Sequence, residues 1–390
     1  MEGIQVNKIS FSAYKRFAGT EELEIKPVTI LVGKNSSGKS SITKLFPMFR
    51  CSLSDMSLKS ALSLNNDSVI LSTSYRNLAH NGYSDGLAIG VTLSNGVVIK
   101  LEFAIGIKGD LIVKLYSLVF EGKSYTLKLK NNQTTYSCTE LGTEYGKSDF
   151  SGFIHKGLFR YLKIEQGFDL SIDYIGPLRI NPQPLITTVM DTDFVGHDGA
   201  GAYPMLCLDS DLAKKVSDWF EANLGCRIDV REPQLGSYQI MVHKPYMDTF
   251  DSNLAEEGMG IGQVLPIVTR CFKKVSGSLI VVEQPELHLH PAAHAAIAQM
   301  IARTSKENQQ KYVVETHSHN FLLGIQDAIV DKTISFDASD VVIYFVDEDE
   351  SGSYLSTITI DKDGNLSDWP EGVFNESYEL INDINRKSRL

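Results

Sequence analysis

Apolar residues along this chain follow three patterns. From Leu87 to about Cys138 they alternate: Val97, Ile99, Leu101, Phe103 and Ile105 share one face, opposite Lys100 and Glu102. Turn-forming groups recur at Ser94-Asn95-Gly96, Lys108-Gly109-Asp110, Glu121-Gly122-Lys123 and Asn131-Asn132. That spacing predicts an antiparallel meander with short loops. A helical period follows later, with Leu212, Val216, Trp219, Phe220 and Leu224 as its stripe. Asp209 or Ser210 would cap this helix and Gly225 would stop it. The third pattern is the short unbroken apolar run, as in Val28–Val32, Leu279–Val282 and Tyr312–Val314, which suits strands buried on both faces.

The remaining elements are placed around these. Ile4–Phe11 and Leu23–Val32 read as strands, with Ser12–Thr20 as a basic-aromatic turn between them. A helix-forming stretch covers Ile42–Phe49, and residues 51–85, rich in Ser and Asn, read as a mobile connection. A strand ends in the turn Tyr174-Ile175-Gly176-Pro177-Leu178-Arg179, and a hairpin-like region covers Arg227 to His243. Helices are expected over Gly262–Phe272 and Ala292–Arg303, the latter with Pro291 at its first position. The tail should hold strands Val341–Val346 and Tyr354–Ile360 and a helix near Glu376–Asn385. The fold class expected is α/β, a mixed core sheet flanked by helices, with an antiparallel β lobe and a helical lobe. Four parts are expected: 1–138, 139–250, 251–338 and 339–390.

Composition narrows the picture. With 390 residues the chain exceeds one simple core. Its 37 basic and 48 acidic residues leave a net charge of −11, which argues against a surface built to coat DNA, though a local basic groove stays compatible. No apolar run is long enough to span a membrane. The five cysteines are scattered and form no Cys-x-x-Cys pair, as expected for reduced thiols in a cytoplasmic protein.

Candidate chemistry begins at residues 33–40, Gly-Lys-Asn-Ser-Ser-Gly-Lys-Ser, a complete phosphate loop between a strand and a helix. Gly33 and Gly38 let the main chain of Asn35, Ser36, Ser37 and Ser41 turn its N–H groups toward phosphate oxygens. Lys39 would neutralise phosphate and the Ser40 hydroxyl would ligate Mg²⁺. The chain is therefore expected to bind a nucleoside triphosphate. Ser278-Leu279-Ile280-Val281-Val282-Glu283 is an apolar strand ending in an acid, expected beside that Mg²⁺. Gln284-Pro285-Glu286-Leu287-His288-Leu289-His290-Pro291 follows it. Val313-Val314-Glu315-Thr316-His317-Ser318 is another strand ending near an imidazole, which would reach the γ-phosphate.

This constellation resembles the ABC-type ATPase heads of the SMC and OLD group, in particular bacterial AAA-family ATPases whose Walker B segment reads Glu-Gln-Pro-Glu-Leu-His-Leu-His-Pro. Tyr-x-Gly-Pro-Leu-Arg at 174–179, the Gly258–Pro266 stretch and Trp369-Pro370-Glu371-Gly372 belong to the same resemblance. It implies ATP as the nucleotide, with Gly260, Gly262 and Gln263 in the signature position, closing on ATP held by a second copy. A homodimer or higher homo-oligomer through an ATP sandwich is thus implied, in a bacterial cytoplasmic protein of anti-phage defence with a separate effector such as a nuclease. Two departures stand out. Gly262 replaces the usual signature Ser, and Gln284 replaces the Glu that serves as general base in active heads. Losing such a base lowers rates by roughly 10²- to 10⁴-fold, so slow hydrolysis is expected unless Glu286 or Glu283 substitutes. The alternative reading is a DNA-repair-like head with nucleic-acid-stimulated hydrolysis.

Weaker signals are read plainly. His288, His290 and His294 are more simply a partner-facing loop than a metal site. Asn77, His80 or Asn81 would stand where related heads carry a Gln near Mg²⁺. Tyr14, Lys15, Arg16 and Phe17 would face adenine or form a surface turn. Asp347-Glu348-Asp349 reads as a solvated turn between Phe345 and Tyr354 rather than a nuclease centre.

Overall fold

The unbroken apolar runs and the alternating ones separate into two different sheets. The computed structural model describes residues 3–82, 86–131, 134–146, 149–187, 189–244, 251–367 and 386–387. The Trp369–Gly372 segment, the helix expected over Glu376–Asn385 and Asn132 of the last meander turn lie outside them.

The core sheet has six strands, in the spatial order Ile172–Ile175, Leu279–Glu283, Lys311–Glu315, Val28–Gly33, Val341–Asp349 and Gly352–Ile358. All neighbours run parallel except the last pair, which is an antiparallel hairpin. Its strands come from all four segments of the chain. Successive residues face two different apolar cores: Leu31, Val281 and Val313 on one side, Ile30, Val32, Val282 and Val314 on the other. Covering both faces is what makes these strands read as continuous apolar runs.

The eight-stranded antiparallel sheet covers the first side. Its order is Thr143–Gly146, Thr135–Cys138, Lys123–Leu129, Leu111–Phe120, Val98–Ile105, Leu87–Leu93, Val6–Tyr14 and Phe17–Glu24. The meander thus forms where the alternation predicts it, and the N-terminal hairpin joins its edge. Helices Ala202–Leu208, Ser210–Leu224, Met259–Phe272, Pro291–Glu307 and His319–Val330 contribute to the other core. Helix Ser210–Leu224 ends as its sequence demands: Asp209 accepts a hydrogen bond from Leu212 N, and Gly225 takes φ 68°.

Several expectations are corrected. The turn expected over Ser12–Thr20 is a tight hairpin: Ser12 pairs with Thr20, and only Lys15 and Arg16 form the apex. Lys15 adopts φ 50° without a glycine, held by its N–H donating to Leu78 O at 2.6 Å. Tyr14 and Phe17 are fully buried, each edge-on to Phe11, so neither ring is free to meet a base. The connection over 51–85 is anchored by Leu62, Val69, Leu71 and Leu78, all buried. The helix expected from Gly262 begins at Met259, which puts the signature glycines inside its first turn. Asp347, Glu348 and Asp349 lie in a strand, paired to Tyr354, Ser353 and Gly352, and only Glu350 and Ser351 turn.

Candidate nucleotide-binding site

The parallel strands end together, and the loops leaving them enclose a cleft of about 710 Å³. Lys15, Arg16, Asn35, Ser36, Gly38, Lys39, Ser40 and Ser41 line one side, and Gln284, Glu315 and His317 another. Asn77 and Ala79 complete the rim. Open α/β sheets place ligands at these strand ends.

The phosphate loop is held from behind. Gly33 has φ 148°, and a Cβ there would lie 2.3 Å from Val346 O on the neighbouring strand. Gly38 has φ 113° and packs on the Phe17 ring. Both positions need glycine for conformation as well as space. Lys39 Nζ donates to Gly33 O at 2.9 Å and Lys34 O at 2.6 Å, so the ammonium rests on its own loop. Burial lowers its pKa, while Glu315 and Glu283 oppose that shift. Ser37 Oγ is buried without a partner among the described residues.

Glu283 and Glu315 sit side by side on adjacent parallel strands. Their partners differ. Glu283 accepts hydrogen bonds from Thr43 Oγ1 and from Tyr174 OH, the latter at 2.6 Å. Glu315 instead accepts the Ser40 hydroxyl, with oxygen separations of 3.1 and 2.9 Å. Burial, and then the neighbouring Glu283 charge, push Glu315 up to about 7. Glu315 is the site residue that local sequence reasoning missed. The signal available was its place, one residue before Thr316-His317, at the end of an apolar strand.

Gln284 adopts φ 47°, a strained conformation for a residue with a side chain, and its N–H donates to Glu315 O at 2.7 Å. Glu286 Oε1 accepts from His317 N at 2.8 Å, while Glu286 Oε2 is buried with no partner among the described residues. Burial, reinforced by the Lys39 charge, lowers His317 to about 4, so its ring is neutral near pH 7.

The residues expected at the signature position stand apart from this cleft. Gly258 precedes the helix Met259–Phe272 without a side-chain cap, and Met259 is 54% exposed. A Cβ on Gly260 would lie 2.8 Å from His288 O, and one on Gly262 would meet Pro182 at 3.0 Å. Gln263 points inward: its amide accepts from Arg179 N at 3.2 Å and donates to Arg179 O at 2.8 Å. Of the histidines, His290 caps helix Pro291–Glu307 and His294 Nδ1 lies 2.7 Å from Ser318 Oγ. No group of three or more His, Cys, Asp or Glu able to hold a metal occurs among the described residues. His80 Nδ1 lies 2.8 Å from Lys15 O, bracing the hairpin apex.

Residues 208–322 are similar to the AAA ATPase domain. That span includes the signature helix, Glu283–Glu286 and His317, and begins after the phosphate loop. Residues 336–384 are similar to a family described as a protein of unknown function, DUF3696. No curated protein matches the chain. An SMC head bound to the C-winged helix domain of ScpA is similar in structure at 12% identity and a TM-score of 0.48, covering 91% of this chain and 98% of that one. The SMC head domain from Thermotoga maritima overlaps at 12% identity and a TM-score of 0.45, with 91% and 100% covered. The Smc head from Pyrococcus furiosus, bound to the C-terminal domain of ScpA, gives 11% and 0.47, with 98% and 100% covered. The architecture is α/β, with the strand–loop–helix core of a P-loop nucleoside triphosphatase.

The residues present fit ATP and Mg²⁺. A cation of this kind binds through a hydroxyl and one or two carboxylates plus nucleotide phosphates, not a protein cage. Ser40, Glu315 and Glu283 supply that donor set, and Lys39 lies in the lining where phosphate would sit. No helix among the described residues is long and apolar enough to cross a membrane.

Proposed function

We propose that this chain is an ATP-dependent switch of the ABC-type head class, which binds ATP with Mg²⁺ and closes on a second copy of itself. The carrying observation is the cleft itself. Lys39, Ser40, Glu315 and His317 converge there, with Gln284 where a base is needed.

Lys39 would leave its loop carbonyls for the phosphates, and Ser40 would exchange Glu315 for the metal. Mg²⁺ supplies charge neutralisation at the phosphates when bound. Neutral His317 can donate a hydrogen bond to a phosphate oxygen, since it carries no charge to lose at pH 7. Gln284 can orient water through its amide but accepts no proton, so chemistry is slow.

Support for closure between copies comes from what the cleft lacks. The signature residues do not line it, yet the first turn of Met259–Phe272 is partly exposed and uncapped. Its free N–H groups suit a phosphate brought by a partner. Because Gln263 is committed internally, Gly258–Ile261 would make the contact. By the resemblance of its motifs, the chain would serve a bacterial cytoplasmic defence system beside a separate effector, such as a nuclease.

The test is single-turnover ATP hydrolysis by the purified chain with Lys39→Ala as background, followed by sedimentation with and without Mg·ATP. Retained, uncleaved ATP with an ATP-dependent doubling of mass supports the switch. Turnover within seconds that rises with duplex DNA would favour a repair-type head instead.

A further inference from the structure

Two arginines among the described residues are nearly inaccessible, and they are treated very differently. Arg270 meets Asp173 at 2.9 Å and Ser278 Oγ at 3.0 Å, in an ion pair with both side chains buried. Arg179, only 5% exposed, has no carboxylate within ion-pair distance among the described residues. Its guanidinium donates to three main-chain carbonyls: Gln263 O at 3.3 Å, Glu283 O at 2.8 Å and Gln284 O at 3.5 Å. Its Nε is buried with no partner. A buried cation bound only by carbonyls is costly, because no full counter-charge offsets its lost hydration.

The contacts show what that arrangement holds together. Gln263 lies one turn inside the signature helix, and its side chain grips the Arg179 main chain in both directions. Glu283 and Gln284 are the end of the Walker B strand and the strained residue where a base belongs. Glu286, two residues on, accepts from the His317 main chain and keeps one buried oxygen unpartnered among the described residues. Burial lowers Arg179 to about 10, and Glu286 and Glu283 act on it through space to oppose that shift.

We infer that Arg179 is a positioning residue that locks the signature helix to the main chain of Gln284, so that movement of either is felt by the other. The inference rests on the nucleotide-site reading above. A contact made by Met259–Ile261 would then alter the hydrolytic position of the same chain through Gln263 and Arg179. Lysine keeps the charge but presents a single point of donation, so it cannot span three carbonyls.

Hydrogen exchange of the full chain, with and without Mg·ATPγS and at a dilution where sedimentation shows a monomer, tests this on wild type and Arg179→Lys. Only there is 259–265 not touched directly by a partner's nucleotide. In wild type, nucleotide should slow exchange in both 283–288 and 259–265. In Arg179→Lys the first segment should still respond and the second should not. Nucleotide affinity should stay within ~3-fold, while single-turnover hydrolysis falls on the order of tenfold or more. A purely structural role would instead lower the melting temperature and weaken both responses together. If Arg179→Lys does not fold, Gln263→Ala removes the two side-chain bonds to the Arg179 main chain and leaves the guanidinium on Gln263 O, Glu283 O and Gln284 O. It should therefore weaken the response of 259–265 in part, and an unchanged response there would overturn the inference. Both segments responding as in wild type, at unchanged turnover, would overturn the inference. So would a wild type in which only 283–288 responds, and that result leaves the nucleotide site standing. Wild type that binds no nucleotide overturns the site reading, and the inference with it.

Discussion

The two large sheets of this protein both bury polar atoms without partners, and the difference lies in where. In and beneath the antiparallel sheet, among the described residues, these include Tyr116 OH, Tyr145 OH and His155 Nε2, enclosed among aromatic rings. Near the ends of the parallel strands they include Ser37 Oγ, Arg179 Nε and Glu286 Oε2, buried behind the residues that line the cleft. An unmet polar atom inside a scaffold is a stability penalty and nothing more. One packed just behind a nucleotide-sized cleft is hydrogen-bonding capacity that a moving neighbour can take up. One buried and one half-buried histidine repeat the contrast. Both are lowered to about 4 by burial, but Lys39 lowers His317 further while Asp149 partly offsets the shift at His155.

Substitutions should separate the sheets sharply. The largest effect is expected from Gln284→Glu, which restores a general base and should raise single-turnover ATP hydrolysis by on the order of 10²-fold or more. An unchanged rate would mean that the strained main chain at 284 misdirects any side chain placed there. Next is Lys39→Ala, which should weaken Mg·ATP binding by on the order of 10²-fold in a fluorescent-nucleotide titration. No single change beneath the antiparallel sheet should match it while the protein stays folded.

A smaller effect concerns acid. Folded His155 stays neutral until about pH 4, whereas in the unfolded chain it takes a proton near its ordinary 6.5. Between those values the unfolded chain binds more protons, so stability is full above 6.5 and declines as pH falls through the window. The loss from this group is up to about 3 kcal/mol. His155→Phe should flatten part of that slope in urea titrations at pH 5 and 8, leaving the share due to His317. It should also cost about 1 kcal/mol at every pH, because His155 caps helix Lys156–Tyr161. The smallest effect is expected for Tyr116→Phe: a melting temperature close to wild type, since the hydroxyl has no well-formed hydrogen bond and only the His155 main chain beside it. A clear loss would show that this hydroxyl has a partner and would weaken the contrast.

Much of this was readable from order along the chain, and the exceptions share a cause. The phosphate loop, the meander and the helix Ser210–Leu224 are local patterns, so period and turn chemistry reveal them. The hairpin apex at Lys15 and Arg16 was hidden because a lysine occupies a conformation usually given to glycine. Glu315 matters because its strand lies beside Glu283 and opposite Ser40, a fact of sheet order and not of neighbouring residues. Arg179 followed a Gly-Pro turn and read as its end, since the three carbonyls it joins come from residues about 80 to 105 positions later.

The sheet order also has a consequence for how the protein is made. Val28–Gly33, which carries the phosphate loop, hydrogen-bonds within the core sheet only to Lys311–Glu315 and Val341–Asp349. A ribosome adding about 5 to 20 residues per second therefore releases the loop's strand roughly 15 to 60 s before both neighbours exist. During that interval the N-terminal hairpin and meander can form from local pairings, while the strand that carries the phosphate loop waits unpaired. The ligand cleft is completed last, so a chain cut short before residue 341 would present a folded β lobe beside a strand seeking an edge.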